Sequence, residues 1–288
     1  MGKFFKYALI SIGSILALII IAAIVLPFFV DPNDYKDQII EQVESKTGRT
    51  FQLDGDLKLS VFPWLGVEIG GMSFGNAAGF GEQPMVKTGL VQARVKLLPL
   101  LKKDIEMSTL VLKDASVLLM KNKSGKTNWD DLLALGEEEK EDSKTGGLVL
   151  ASFALGGIQL ENTNLVWDDQ SDEKYYSIQG MNLKTGKLAL NEPVELDVVF
   201  DFDARAEKIL GGLAMQSTIE YDLEKKKYRL TPFQFTADLE GASLPGGAAD
   251  IKVDAKAIDA DLTEATAAVE DLSLKAKGTQ IEGNIRAR

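Results

Sequence analysis

Two acidic triplets are the residues of this chain most suited to chemistry: Trp129-Asp130-Asp131 and Trp167-Asp168-Asp169. A carboxylate from each, brought to one site, could split a glycosidic bond as an acid and base pair, and a cluster of them could hold calcium. Each triplet, however, falls where a turn or helix start is expected, a place where Asp serves nearby backbone N–H groups. Structural use is the reading adopted for both. The stretch "GGMSFGNAAGFG", Gly70 to Gly81, is glycine-rich but lacks the spacing of a phosphate loop, and no helical pattern follows it. It reads as a plain loop. Lys96, Lys102 and Lys103 could touch anionic head groups, but lysines on the wet side of a sheet need no such partner.

Composition removes most other chemistry. The chain has no cysteine, hence no disulfide, thiol nucleophile or thiolate metal site. It also has no histidine. That excludes a Ser-His-Asp arrangement and the usual zinc and iron sites, and leaves no side chain that ordinarily titrates near neutrality. No catalytic residue, metal or cofactor is assigned, and the chain is read as non-enzymatic. A net charge of −11 argues against nucleic acid as a partner, because phosphate binding needs clustered cations.

The elements that must position these residues begin with "YALISIGSILALIIIAAIVLPFFV", Tyr7 to Val30, which contains no charge. Roughly 24 residues at about 1.5 Å each give enough helix to cross a bilayer. The run is too long for a secretory h-region, and its bulky end is a poor cleavage site, so it reads as an uncleaved transmembrane anchor over 7–30. Lys3 and Lys6 precede it, and Asp31 and Asp34 follow. The positive-inside rule leaves residues 1–6 as a cytoplasmic tail and exports the rest.

Residues 31–48 predict a short amphipathic helix, with Asp31 as N-cap, Pro32 at the first position and Gly48 as the stop. Its apolar stripe, Tyr35, Ile39 and Val43, is expected to pack on the sheet that follows. From Phe51 the period changes from 3.6 to 2. In "FQLDGDLKLSVFPWLGVEIGGMSF" the apolar residues from Phe51 to Ile69 fall at odd positions, and over that span only Phe62 and Trp64, flanking Pro63, break the polar register. They mark a hairpin turn that would clamp against the helix. The same alternation recurs over Val91–Leu97, Val194–Asp203, Ile219–Leu230 and Phe233–Glu240. This predicts an antiparallel meander wet on one face, since parallel strands would need crossover helices that have little room here.

Three segments starting at Ile105, Phe153 and Ala267 align without gaps. Leu110, Ile158 and Leu272 coincide, as do Leu112, Leu160 and Leu274, and also Leu119, Trp167 and Ile281. The acidic triplets themselves do not align. Unequal spacings suggest a recurring hairpin unit rather than a solenoid. Between the first two segments "GEEEKEDSKTGG", 136–147, reads as an acidic flexible linker, and "NWDDLLALG" before it as a short helix capped by Asn128.

Together these blocks resemble the AsmA family of bacterial envelope proteins. The match is carried by the anchor, by "VDPNDYKDQIIEQVESKTGR", by "LDGDLKLSVFPWLGVEIGGMSFGNAAGFG" and by "VQARVKLLPLLKKDIEMSTLVLKDASVLLMKNKSGKTNWDDLL". It marks 49–135 as an AsmA-like N-terminal β module. Residues 148–288 are then further β-meander repeats of a short or truncated member, ending at "GNIRAR" in what reads as mid-strand. The resemblance implies an inner-membrane anchor, a periplasmic body and a role in outer-membrane assembly and lipid homeostasis. It also implies similarity to chorein-type lipid-bridge proteins, whose sheets curl into a hydrophobic groove.

The fold class read here is therefore mainly β, a long antiparallel meander curled into a groove, with a closed β-sandwich as the alternative. In the groove reading, phospholipid would lie on Leu57, Leu59, Val61, Leu65, Val67, Ile69, Val95, Leu110 and Leu112. The expected partners are the inner membrane, phospholipid and other envelope proteins. The rival function is a scaffold for outer-membrane proteins that moves no lipid.

Overall fold

The computed structural model describes residues 31–60, 64–96, 106–135, 154–189 and 192–287. The expected anchor over 7–30, Val61, the Phe62-Pro63 turn, Lys102, Lys103 and the 136–147 linker lie outside the described residues. Among the described residues no helix is long and apolar enough to cross a membrane.

The chain enters through a 3-10 turn, Pro32–Tyr35, into helix α1, Lys36–Thr47. The expected caps form. The Asp31 carboxylate accepts the Asn33 N–H at 2.8 Å, and Gly48, at φ +67°, donates its N–H to Glu44 C=O at 2.8 Å. The packed face differs from expectation: Tyr35 is 49% exposed and Ile39 39%. The helix is held instead by polar contacts to the first strand edge. The Asn33 carboxamide accepts the Leu57 N–H at 2.9 Å and donates to its C=O at 3.2 Å, and Glu44 Oε1 accepts the Phe51 N–H at 2.9 Å. An unpaired strand edge must satisfy its backbone groups, and that demand outweighs a narrow apolar stripe.

Among the described residues seventeen strands follow as one sheet. They are β1 Phe51–Leu53, β2 Leu57–Ser60, β3 Trp64–Ile69, β4 Met72–Phe74, β5 Val86–Thr88 and β6 Leu90–Lys96. Next come β7 Glu106–Lys113, β8 Ser116–Lys121, β9 Ala154–Asp169, β10 Lys174–Thr185, β11 Val194–Ala204 and β12 Ile209–Asp222. The last are β13 Lys227–Gly241, β14 Ala248–Ala255, β15 Ala257–Asp261, β16 Thr266–Ala276 and β17 Thr279–Ala287. The first eight act as four creased strands. One half of each runs β2–β3–β6–β7, the other β1–β4–β5–β8. Both halves join the unbroken β9, and from β9 to β17 neighbours in sequence are mostly neighbours in space.

The meander is not antiparallel throughout. β7 and β8 run parallel to β9, with Leu110 opposite Ile158, Leu112 opposite Leu160 and Leu119 opposite Trp167. These are the pairs that the internal repeat aligned, so its first two units are adjacent strands in matching register, not hairpins. The third unit is a true hairpin, β16–β17. Residues 122–153 separate β8 from β9 in sequence, a length comfortably above the dozen or so that a parallel return needs. The strands before and after the acidic segment thus share one sheet.

A line of left-handed residues marks the first crease: Gly71 (φ 87°), Asp114 (50°), Asn162 (51°) and Gly180 (57°). The apolar residues on either side of it, such as Leu160 and Leu165 or Ile178 and Leu183, are an odd interval apart. A regular strand would put them on opposite faces, and one bulged residue returns them to the same face. Side chains stitch the crease, with Asn162 Nδ2 donating to Asp114 Oδ1 at 2.7 Å and Gly180 N–H to Asn164 Oδ1 at 3.0 Å. Gly180→Val forces a β-branched residue into this left-handed conformation. A loss of about 1–2 kcal/mol is expected, read as a lowered urea midpoint at unchanged slope. An unshifted midpoint would contradict this account of the crease.

Among the described residues the buried apolar side chains are few and mostly small: Leu57, Phe80, Met85, Val194 and the alanines 115, 237, 255 and 257. Most large apolar residues of the sheet are half-exposed.

Candidate functional site

Strand register assembles the site. Leu57, Ile69, Val91, Leu112 and Leu160 are successive cross-strand partners from β2 to β9. The row continues through Leu183, Val198, Met215 and Phe235 to Val253, Leu274 and Ile281 on β17. Directly opposed residues share a face, so one apolar line crosses twelve strands without interruption. The adjoining residues on the other face pair in the same way. Lys58, Glu68, Gln92, Val111, Gln159 and Lys184 lead to Asp197, Gln216, Gln234, Asp254, Ser273 and Glu282. Only Val111 is apolar there. Lys58 and Gln92 both bind the Glu68 carboxylate, at 2.9 and 2.8 Å, and hold it below its ordinary pKa.

The expected groove residues divide. Leu59 and Val67 face each other across β2 and β3 and are 40% and 42% exposed, and Leu65 is similarly open. Ile69, Val95, Leu110 and Leu112 lie half-buried on the same face. Leu57 is only 6% exposed, beside the entry segment that caps its backbone. Val61 lies outside the described residues. Sequence reading named no residue beyond Leu112, although Val198, Phe235 and Val253 carry the same face and the same alternation.

The acidic triplets converge through their tryptophans. Trp129, in the crossover, lies on Trp167 of β9 with ring centroids 5.4 Å apart. Their carboxylates are occupied locally. Asp130 accepts the Thr127 N–H at 2.8 Å and its hydroxyl, and Asp168 accepts Gln170 Nε2 at 3.2 Å. Asp131 takes Arg49 through Nε at 3.0 Å and through Nη2. Burial raises the Asp131 pKa, but the guanidinium outweighs it and holds the carboxyl below its ordinary value. Among the described residues no group of acidic side chains is placed to hold a metal ion.

Arg49 is the hub of this region and was missed in the sequence. It is 4% exposed, with Nη2 donating to Asn128 C=O at 2.7 Å, Nη1 at 3.1 Å from Met85 Sδ, and its guanidinium 5.3 Å from the centre of the Phe74 ring. Asn128, expected as a helix cap, is fully buried and has another task. Its Oδ1 accepts the Met120 N–H at 2.9 Å and its Nδ2 donates to Leu118 C=O and Asn76 Oδ1, both at 2.8 Å. β5 pairs with β8 only at Ser116 and Val117. Asn128 therefore replaces the missing neighbour along the rest of that edge.

The Asp169 carboxyl is lowered from 3.8 to about 2. The Ser171 hydroxyl, at 2.6 Å, leads, against an opposing effect of burial, and Lys121 and the N–H groups of Asp172 and Ser171 add to it. A carboxyl depressed in the folded state stabilises above its unfolded pKa and loses that contribution as pH falls through the folded value. Asp169→Asn is therefore expected to remove part of the acid sensitivity between pH 4 and pH 2. Thermal midpoints of the two proteins should converge across that window, and parallel curves would contradict the assignment.

What these elements define is a one-sided β-sheet protein with an unbroken apolar face. The chain belongs to the AsmA family, whose pattern matches residues 1–286, beyond the first half on which the sequence resemblance chiefly rested. It is 26% identical over 235 residues to Protein AsmA of Escherichia coli (strain K12). That alignment covers 80% of this chain and 36% of the relative, so the chain spans about a third of that protein's length. No solved structure matches it.

Proposed function

We propose that this chain is a non-enzymatic protein of outer-membrane biogenesis that shields or conducts phospholipid along its apolar face, curled as a groove. It would be anchored by residues 7–30 in the inner membrane, with the sheet in the periplasm. The observation that carries the reading is the continuous apolar row from Leu57 to Ile281, backed by a polar one. At about 4.8 Å per strand the row runs roughly 50 Å. Each methylene it takes from water contributes about 0.8 kcal/mol, so an acyl chain laid along it gains several kcal/mol. Family membership supports an envelope role, and the locally engaged carboxylates supply no opposing argument for an enzyme.

The test is lipid mass spectrometry on the full chain purified in gentle detergent. Phospholipid is expected in at least stoichiometric amount. Recovery of none, with envelope proteins attached instead, would replace this reading by the scaffold.

A further inference from the structure

The apolar stripe of α1 faces away from the sheet. At about 100° per residue, Tyr35, Ile39 and Lys46 fall within roughly 40° of one another around the helix. Gln38 and Gln42 flank them, and all five are exposed. The sheet side is fixed by other residues. Glu44 Oε1 accepts the Phe51 N–H at 2.9 Å, Lys36 Nζ lies 4.0 Å from Asp56, and Ile40 is half-buried. The helix cannot roll to bury Tyr35 and Ile39 without breaking those contacts. Asp37 and Glu41 are exposed on the side away from the stripe.

The chain itself says what lies nearest. The uncharged run 7–30 ends at Val30, five residues before Tyr35. Five residues reach at most about 18 Å, and the 3-10 turn, rising about 2 Å per residue, takes up most of that slack. A tyrosine and a lysine beside an isoleucine suit a head-group layer, where an aromatic ring or an aliphatic stem is buried and the polar tip stays wet. Two apolar side chains would hold a free helix to a membrane only marginally. Beside an anchored segment the same contact is intramolecular, so a weak affinity suffices.

We propose that the Tyr35 and Ile39 face of α1 lies in the head-group layer of the membrane that holds residues 7–30. The proposal rests on the anchor reading and adds a second contact, one that fixes how the sheet stands on the bilayer. Because Asn33 binds both backbone groups of Leu57, this contact sets the Leu57 end of the apolar row nearest the membrane.

The chain has no cysteine, so single cysteines can carry an environment-sensitive fluorophore in the full chain. The protein is held in nanodiscs of phosphatidylethanolamine and phosphatidylcholine. Quenchers are carried by the lipids, on the head group or at mid-chain, or are dissolved as iodide. Ile39→Cys is expected to be quenched by head-group quencher several times more than Glu41→Cys, across the same helix, or Leu262→Cys, a 62% exposed residue just after β15. Adding Tyr35→Ser to Ile39→Cys should lower that quenching severalfold and raise quenching by iodide. Tyr35 is 49% exposed, so the urea midpoint of the sheet should not move. Ala17→Cys, read with the mid-chain quencher, tests the anchor separately. Lipid quenching at Ala17→Cys but not at Ile39→Cys overturns the proposal and spares the anchor, whereas quenching at neither overturns both. Equal lipid quenching at Ile39→Cys and Glu41→Cys overturns the proposal. So does protection of Ile39→Cys from iodide without lipid quenching, which would mark the stripe as a contact between two copies of the chain.

Discussion

Arg49→Met is expected to destabilise the N-terminal part of the sheet by about 3 kcal/mol. Methionine restores most of the volume, so the loss is electrostatic. Removing one member of a buried ion pair typically costs about 3–5 kcal/mol because the other is left uncompensated. The Asp131 side chain is 43% exposed and can partly rehydrate, which places this case at the lower end. The Asn128 carbonyl, on a fully buried residue, cannot, and an orphaned buried acceptor costs about 1–3 kcal/mol. Urea unfolding followed by tryptophan fluorescence reports it directly, since Trp129 and Trp167 lie in the segment Arg49 secures. Asp131→Asn added to Arg49→Met should cost little more. Independent, additive losses would show that the two residues do not act as a pair.

The second large effect concerns the apolar face. Leu59→Lys combined with Val67→Glu copies onto this face the Lys58–Glu68 pair found one residue away on the other. Both positions are already about two-fifths exposed, so the fold should tolerate an exposed cross-strand ion pair, which contributes at most about 1 kcal/mol either way. Lipid binding should not tolerate it. Two charges in the path of an acyl chain must be desolvated or avoided, and a loss of about 1.4 kcal/mol suffices for a tenfold fall in bound phospholipid. Quantified phospholipid per chain, with unfolding midpoints as control, separates the effects. Lipid content unchanged in a folded double variant would contradict the groove.

Much of the sheet was legible because alternation is a local property. Val194, Leu196, Val198, Phe200 and Phe202 announce their strand and its apolar face without reference to any neighbour. Register was not legible, because pairing Leu160 with both Leu112 and Leu183 is a decision between strands. The parallel join was present in the repeat alignment, yet the local pattern of a strand is the same for either direction. The creases concealed themselves by shifting the alternation by one residue at Gly71, Asp114, Asn162 and Gly180, where a reader of period two sees a turn. Arg49 follows a helix stop and looks like any exposed cation. Its burial depends on Asn128 and Asp131, some eighty residues later.

The central claim is that the row from Leu57 to Ile281 is a lipid-binding surface and its reverse is not. The most direct measurement places photo-crosslinkers in turn at Leu59, Val67 and Ile281, and at Lys58, Glu68 and Glu282, in the full chain within native membranes. The expected result is phospholipid adducts from the first three positions and none from the second three. Equal labelling of both faces, or protein adducts alone from the apolar one, would contradict it.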